Sequence, residues 1–315
     1  MDATHNRFFL EDLDNALAGR PLNVYTPYKT WADSLYTLRT SPLAKQAVKY
    51  HVSHLKGISE HKHALWPFPT PRLDVSPERA DIDGHVITYS APDLLRLREK
   101  YPQLTAPIVI KAALALLTIY HTNHTHAIFL SLEANRARFP FIPESYSSVG
   151  EFDHADVPGP TFSGILNMIA YQPHETVIEY LSRIREYQVE QTKHGSVPWH
   201  EVLRELDCLD VFPATAESLM FNWMPGLGAQ VSGGQNAYSH FKLVQTFIRV
   251  RMGMLVNAGT FGPNGSDVVF LLQGALTNMS TAWSVLFAEK LKKISLWLAA
   301  PKSWSKPVGQ FIECV

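Results

Sequence analysis

The chain opens on a helical period. Phe9, Leu10, Leu13 and Leu17 recur at three- and four-residue spacing, so residues 4–18 read as an amphipathic helix that Gly19 stops. Two more helical stretches follow, over Thr30–Leu38 and Pro42–Ser53. Pro67, Pro69 and Pro71 then exclude a helix interior from Trp66 to Arg72, which reads as a connector. Beyond Asp83 the period alternates between two and 3.6. Residues 85–89 suit a strand, and Ser90 with Asp93 suggests a capping box for the helix carrying Leu94, Leu95 and Leu97. Thr105 is placed to cap a helix from Ile108 to about His121, with Pro107 in its first turn. That helix is apolar nearly all round and therefore belongs between layers.

Strands are expected at Ala127–Leu132, Ile165–Tyr171, Ser218–Trp223, Leu243–Val256 with a bend near Gly253, and Val268–Gly274. Helices are expected at Thr176–Gln191 and Thr281–Leu298. The alternation predicts an α/β fold, a mixed sheet covered by helices.

Composition narrows the function classes. The 315 residues are 46% hydrophobic and 18% charged, with a formal net charge of −1. That balance gives no basis for nucleic-acid or anionic-membrane binding. Cys208 and Cys314 are the only cysteines, so neither a disulfide framework nor a cysteine-rich zinc site can be built. The longest apolar run, Ala112–Tyr120, is too short to span a bilayer, and no signal-peptide core follows Met1. A cytoplasmic protein is the expectation. His51, His54, His61, His63, His121, His124 and His126 lie without the carboxylate pattern of a zinc enzyme and read as solvated loop histidines; no metal is expected. No Gly-x-Ser-x-Gly appears, and Ser232-Gly233-Gly234-Gln235 lacks the lysine of a phosphate loop.

Several segments, in order, resemble the condensation domains of fungal nonribosomal peptide synthetases. Asp2-Ala3 followed by Phe8-Phe9-Leu10-Glu11-Asp12-Leu13 and Ala18-Gly19-Arg20-Pro21-Leu22 is similar to the continuation of their His-His-x-x-x-Asp-Gly motif. Tyr28-Lys29-Thr30-Trp31-Ala32-Asp33 resembles their Tyr-x-Asp-Phe box, with Thr30 in the aspartate position. Asn135-Arg136-Ala137-Arg138-Phe139-Pro140 follows a buried helix and a strand, as in their second lobe. Gly159-Pro160 with Asn167, and His194-Gly195-Ser196-Val197-Pro198-Trp199, resemble two later motifs, although Ala170 and Gln172 replace the usual proline and arginine.

The resemblance implies a chloramphenicol-acetyltransferase-like two-lobe fold, with residues 1–75 a remnant of an incomplete first lobe plus connector and 76–315 the second lobe. It implies acyl transfer from a carrier-bound thioester to form an amide or ester, the carrier's phosphopantetheine arm serving as tether and no cofactor being bound by the chain itself. It implies that Asp2 is the structural member of the motif, whose catalytic histidine falls four residues earlier and is not in this chain. A separate polypeptide supplying the missing lobe is one way to complete the fold; a non-catalytic remnant that binds a carrier protein or acyl ligand is the alternative. A coenzyme-A-dependent acyltransferase shares the fold but carries an Asp-Phe-Gly-Trp segment absent here.

For Arg136 two readings stand: a buried partner of Asp2 that shapes the histidine loop, with Arg138 as substitute, or a solvated loop end. Asn222, in the apolar run Leu219–Met224, either points into the substrate tunnel or is satisfied within the core. Trp223 and Asn167 complete the tunnel candidates.

Overall fold

A computed structural model describes residues 3–66, 82–133, 146, 149, 151–225, 227–228, 253–262, 264–275 and 281–315. Three helices come first: α1 (Ala3–Leu17), α2 (Tyr28–Arg39) and α3 (Pro42–His54). Gly19 takes φ 69° just past α1, the left-handed stop the sequence announced. Ser41 caps α3 by accepting from the Leu43 amide at 3.2 Å. A 3₁₀ turn, Ile58–Ala64, follows Gly57. The proline-spaced connector lies almost wholly outside the described residues.

The remainder runs β1 (Ile82–Ser90), α4 (Asp93–Lys100), α5 (Ala106–Thr122), β2 (His126–Glu133), β3 (Ser163–Ala170), α6 (Val177–Lys193), α7 (Trp199–Glu205), α8 (Val211–Ala216), β4 (Leu219–Trp223), β5 (Met254–Phe261), β6 (Asp267–Ala275) and α9 (Thr281–Ala299). The six strands form one mixed sheet in the order β1-β6-β5-β4-β2-β3. β2, β4 and β5 are parallel; β1–β6, β5–β6 and β2–β3 are antiparallel. This is the helix-covered mixed sheet expected from the alternation.

Strand alternation gives the sheet two different faces. One carries Ala127, Phe129, Phe221, Val256, Phe270 and Leu272, all buried in the main core with α5 and α9. Every α5 residue from Ile108 to Ile119 is buried, because that helix is enclosed by the sheet, α6 and α9. The opposite face carries Ile128 and Leu166, which pack with Ala47, Val48, Leu55 and Ile58 and with Val202 and Leu203 of α7. Residues 42–65 thus share a core with the sheet, and Leu65 bridges to Ile128.

α6 also covers the free edge of β3. Arg183 Nη2 donates to Ala170 O at 3.0 Å, the Met168 amide donates to Tyr187 Oη at 3.3 Å, and Gln191 Nε2 donates to Leu166 O at 3.2 Å. Outward-pointing backbone groups on the edge strand are satisfied by side chains four residues apart on the helix.

Three expectations need correction. Ser90 ends β1, paired with Asp267, so it cannot cap α4; Pro92 stands at the cap, and Asp93 instead accepts from Arg96 at 2.9 Å. Thr105 stands at the N-cap of α5 but makes no side-chain cap bond. The strand placed at Leu243–Val256 does not end at Val256 but runs on to Phe261 beyond a bend at Gly253; residues 243–252 lie outside the described ones. The capping box is on α6, where Thr176 Oγ1 accepts from the Glu179 amide and the Glu179 carboxylate accepts from the Thr176 amide at 2.8 Å. Thr176→Ala should therefore lower stability by about 1 kcal/mol in urea unfolding.

Candidate functional site

On the sheet face opposite α5 and α9, three side-chain amides form a row across three strands. Asn222 of β4 stands in register with Asn257 of β5, which stands opposite Leu271 of β6; Gln273, two residues on, points to the same face. Asn222 Nδ2 donates to Asn257 Oδ1 at 2.9 Å. Asn257 Nδ2 donates to Gln273 Oε1 at 2.9 Å and to Leu271 O at 3.4 Å. All the donors point one way along the row. Among the described residues, Asn222 Oδ1 is left as an acceptor at one end and Gln273 Nε2 as a donor at the other.

Apolar groups flank the row. Leu132 stands beside Asn222 on β2, Val86 beside Leu271 on β1, and Leu130, Met220 and Leu255 form a small cluster one register step away. Asn257 is buried, while Asn222 and Gln273 are half-buried. The apolar flanks lower the local polarity and so strengthen the amide dipoles of the row. Among the described residues, no histidine, carboxylate or amine hydrogen-bonds to the row. The arrangement can bind and orient an amide or a carbonyl. It carries no proton-transfer group.

The candidates drawn from sequence are dispersed. Asn222 is in the row. Trp223 points to the other face and packs against the main core. Asn167 also lies on that face, fully buried, with Nδ2 donating to Phe129 O, Ser131 Oγ and Ile165 O. It staples β2 to β3, and the structure does not bring it to Asn222. Asp2, Arg136 and Arg138 lie outside the described residues, as does Ser232–Gln235. Asn257 and Gln273 were not singled out from the sequence. Each is an amide within an apolar strand, the same signal that marked Asn222, but the expected β5 ended one residue short of Asn257.

The histidines also need correction. His51 is on α3 and fully buried rather than solvated in a loop, and His121 lies in the last turn of α5. Burial holds His51, His54 and His121 down at about 4. Among the described residues, no group of three or more His, Cys, Asp or Glu is placed to hold a metal ion, and no helix is long and apolar enough to cross a membrane.

This mixed sheet with its helical layer has the chloramphenicol-acetyltransferase-like fold of the condensation domains of nonribosomal peptide synthetases and their relatives. Among solved structures, the first condensation domain of the calcium-dependent antibiotic synthetase, in complex with a substrate analogue, matches with a TM-score of 0.62 at 13% identity over 98% of this chain. The X-domain from teicoplanin biosynthesis, in complex with OxyB, matches with a TM-score of 0.72 at 14% identity over the whole chain. The epimerization domain from the third module of tyrocidine synthetase B matches with a TM-score of 0.64 at 15% identity over 95%. The chain spans 64%, 67% and 66% of those three, about two thirds of their length. No protein-family model matches the sequence, and no curated protein does. At such identities the likeness is one of fold.

Proposed function

We propose that the chain is part of a condensation-type acyltransferase of specialised metabolism, and that its amide row holds the amide-bearing phosphopantetheine arm of a carrier protein. The row carries this reading: a fixed acceptor and a fixed donor at opposite ends of a neutral, apolar-flanked strip suit the alternating N–H and C=O of such an arm. Amide formation makes a C–N bond, breaks the thioester C–S bond, and passes one proton from the amine to the departing sulfur. Nothing in the row can move that proton, so its share is binding and orientation. The proton-transfer histidine belongs to the motif that precedes Asp2 in the resembling family. In the same proposal Asp2 and Arg136 brace that loop.

Titration of acyl-pantetheine into the isotopically labelled protein should shift the side-chain amide signals of Asn222, Asn257 and Gln273. Asn222→Leu removes one hydrogen bond to the arm and should weaken binding about tenfold. Binding unchanged in that variant would remove the row from the proposal. A second reading is a non-catalytic domain that docks a partner, favoured by the match to an X-domain solved with OxyB. Binding of a carrier protein whose arm has been removed, at undiminished affinity, would select it.

A further inference from the structure

Residues 42–66 meet the rest of the fold along a seam lined by histidine. His51 Nε2 lies 3.2 Å from His194 O, and its ring is 4.7 Å from that of Trp199. His54 stacks on Tyr187 at 4.3 Å, and Tyr50 stacks on His194 at 4.5 Å. Further along, His61 faces His126 at 3.9 Å, His63 faces His124 at 6.3 Å, and Trp66 lies flat on His121 at 4.3 Å. In the last three pairs the positions run in opposite order along the chain: 61, 63 and 66 meet 126, 124 and 121. Eight of the chain's fourteen histidines are in this seam.

The surroundings favour neutral rings. His51 Nδ1 and His54 Nε2 are buried without a hydrogen-bond partner, and this desolvation outweighs the backbone of His194 and of Met168, which favour the charged rings of His51 and His54. Lys111 acts on His54 from α5, Lys193 on His194 from α6, and Lys290 on His121 from α9, each disfavouring a second positive charge. His61 and His126 repel each other once charged. Glu190 favours a charged His194, but Asp210 is occupied by Lys62 at 2.7 Å, and Glu133 accepts from Gln188, which in turn accepts from Lys111. Lys45, Lys49 and Glu60 are exposed on the segment itself.

We propose that this seam is a proton-triggered release: mild acid charges the facing histidines and detaches residues 42–66 from the sheet, while the core under α5 and α9 stays closed. The inference does not rest on the proposed acyl transfer. The direction follows from burial. In the closed state His51, His54 and His121 hold their protons only near pH 4, and His126 and His194 are also lowered, whereas a released histidine titrates near 6.5. The open form therefore binds more protons between pH 6.5 and 4, and closure is lost progressively as pH falls through that window. Fully buried His51 alone shifts the balance about tenfold per pH unit. The half-buried rings add less, because water screens them.

Hydrogen exchange of the full chain at pH 7.5 and 5.0, corrected for intrinsic rates, tests this. Amides of 42–66 should lose about 30-fold of protection from His51 alone, before those of β4–β6 change. Equal loss in both regions, or none in either, would overturn the proposal. His51→Gln risks misfolding, so the paired variant His61→Gln/His126→Gln, on half-buried positions, provides the second test. It should move release to lower pH; an unchanged release pH would sink the idea. Ring-proton titration gives the third: His51, His54 and His121 titrating near the ordinary histidine value of about 6.5 in the closed protein would also overturn it.

Discussion

Gln191→Leu should destabilise the protein by about 3–5 kcal/mol, because one substitution strips two buried partners at once. Lys111 is fully buried and donates to Gln188 Oε1 and to Gln191 Oε1 at 3.2 Å; Gln191 in turn donates to Leu166 O on the edge of β3. Leucine leaves the ammonium with one fewer acceptor, worth about 1.5–3 kcal/mol, and an uncapped carbonyl, worth about 1–3. Gln191→Glu keeps the acceptor and adds a counter-charge, so it should lose only about half as much. Urea unfolding with an unchanged m-value separates the two. Burial pulls Lys111 down to about 8, so at pH 9 the folded protein holds it largely neutral. Part of the Gln191→Leu deficit should then disappear. A deficit below about 1 kcal/mol at pH 7 would mean that the ammonium finds another acceptor.

Gly253→Ala should cost about 3 kcal/mol or more and disturb the amide row from a distance. A Cβ at Gly253 would lie 2.1 Å from both Glu217 O and Ser218 O. The backbone here cannot separate freely: Ser218 O accepts from the Met254 amide at 2.7 Å, at the start of the β4–β5 pairing, and the Gly253 amide donates to Ala216 O at 3.3 Å. Shifting this end of the ladder moves Asn257 relative to Asn222, three registered pairs further on. The contrasting substitution is Gly84→Ala on β1, whose Cβ meets nothing nearer than 3.7 Å. It should change stability by less than about 1 kcal/mol. Similar losses for the two substitutions would show that close packing at Gly253 is not what limits it.

These particulars mark what the sequence can disclose. α1, α3, α6 and α9 fall within a residue or two of expectation, since their periods are long and several carry a stop or cap. α7 and α8, of seven and six residues, are too short for a period to register. Asn222 was legible because an amide inside an apolar strand asks for a partner. Its partners were not, because β4, β5 and β6 become neighbours only through the sheet order. The same holds for His51: its place on a helix was readable, but its burial depends on Trp199 and His194, more than 140 residues away.

The helix along the edge of β3 behaves as a vernier. Four residues of helix advance about 6.0 Å, and two residues of strand about 6.6 Å, so successive contacts drift by about 0.6 Å. Arg183, Tyr187 and Gln191 keep within that tolerance over three marks. The fourth mark would fall on Gly195 opposite Gly164, past the end of α6, where neither residue has a side chain to extend the scale. The covered length of the edge is therefore set by arithmetic between two pitches. A single residue inserted in α6 between Arg183 and Gln191 would turn the later marks by about 100° and put them out of reach. Substitution can tune this edge, but change in length cannot.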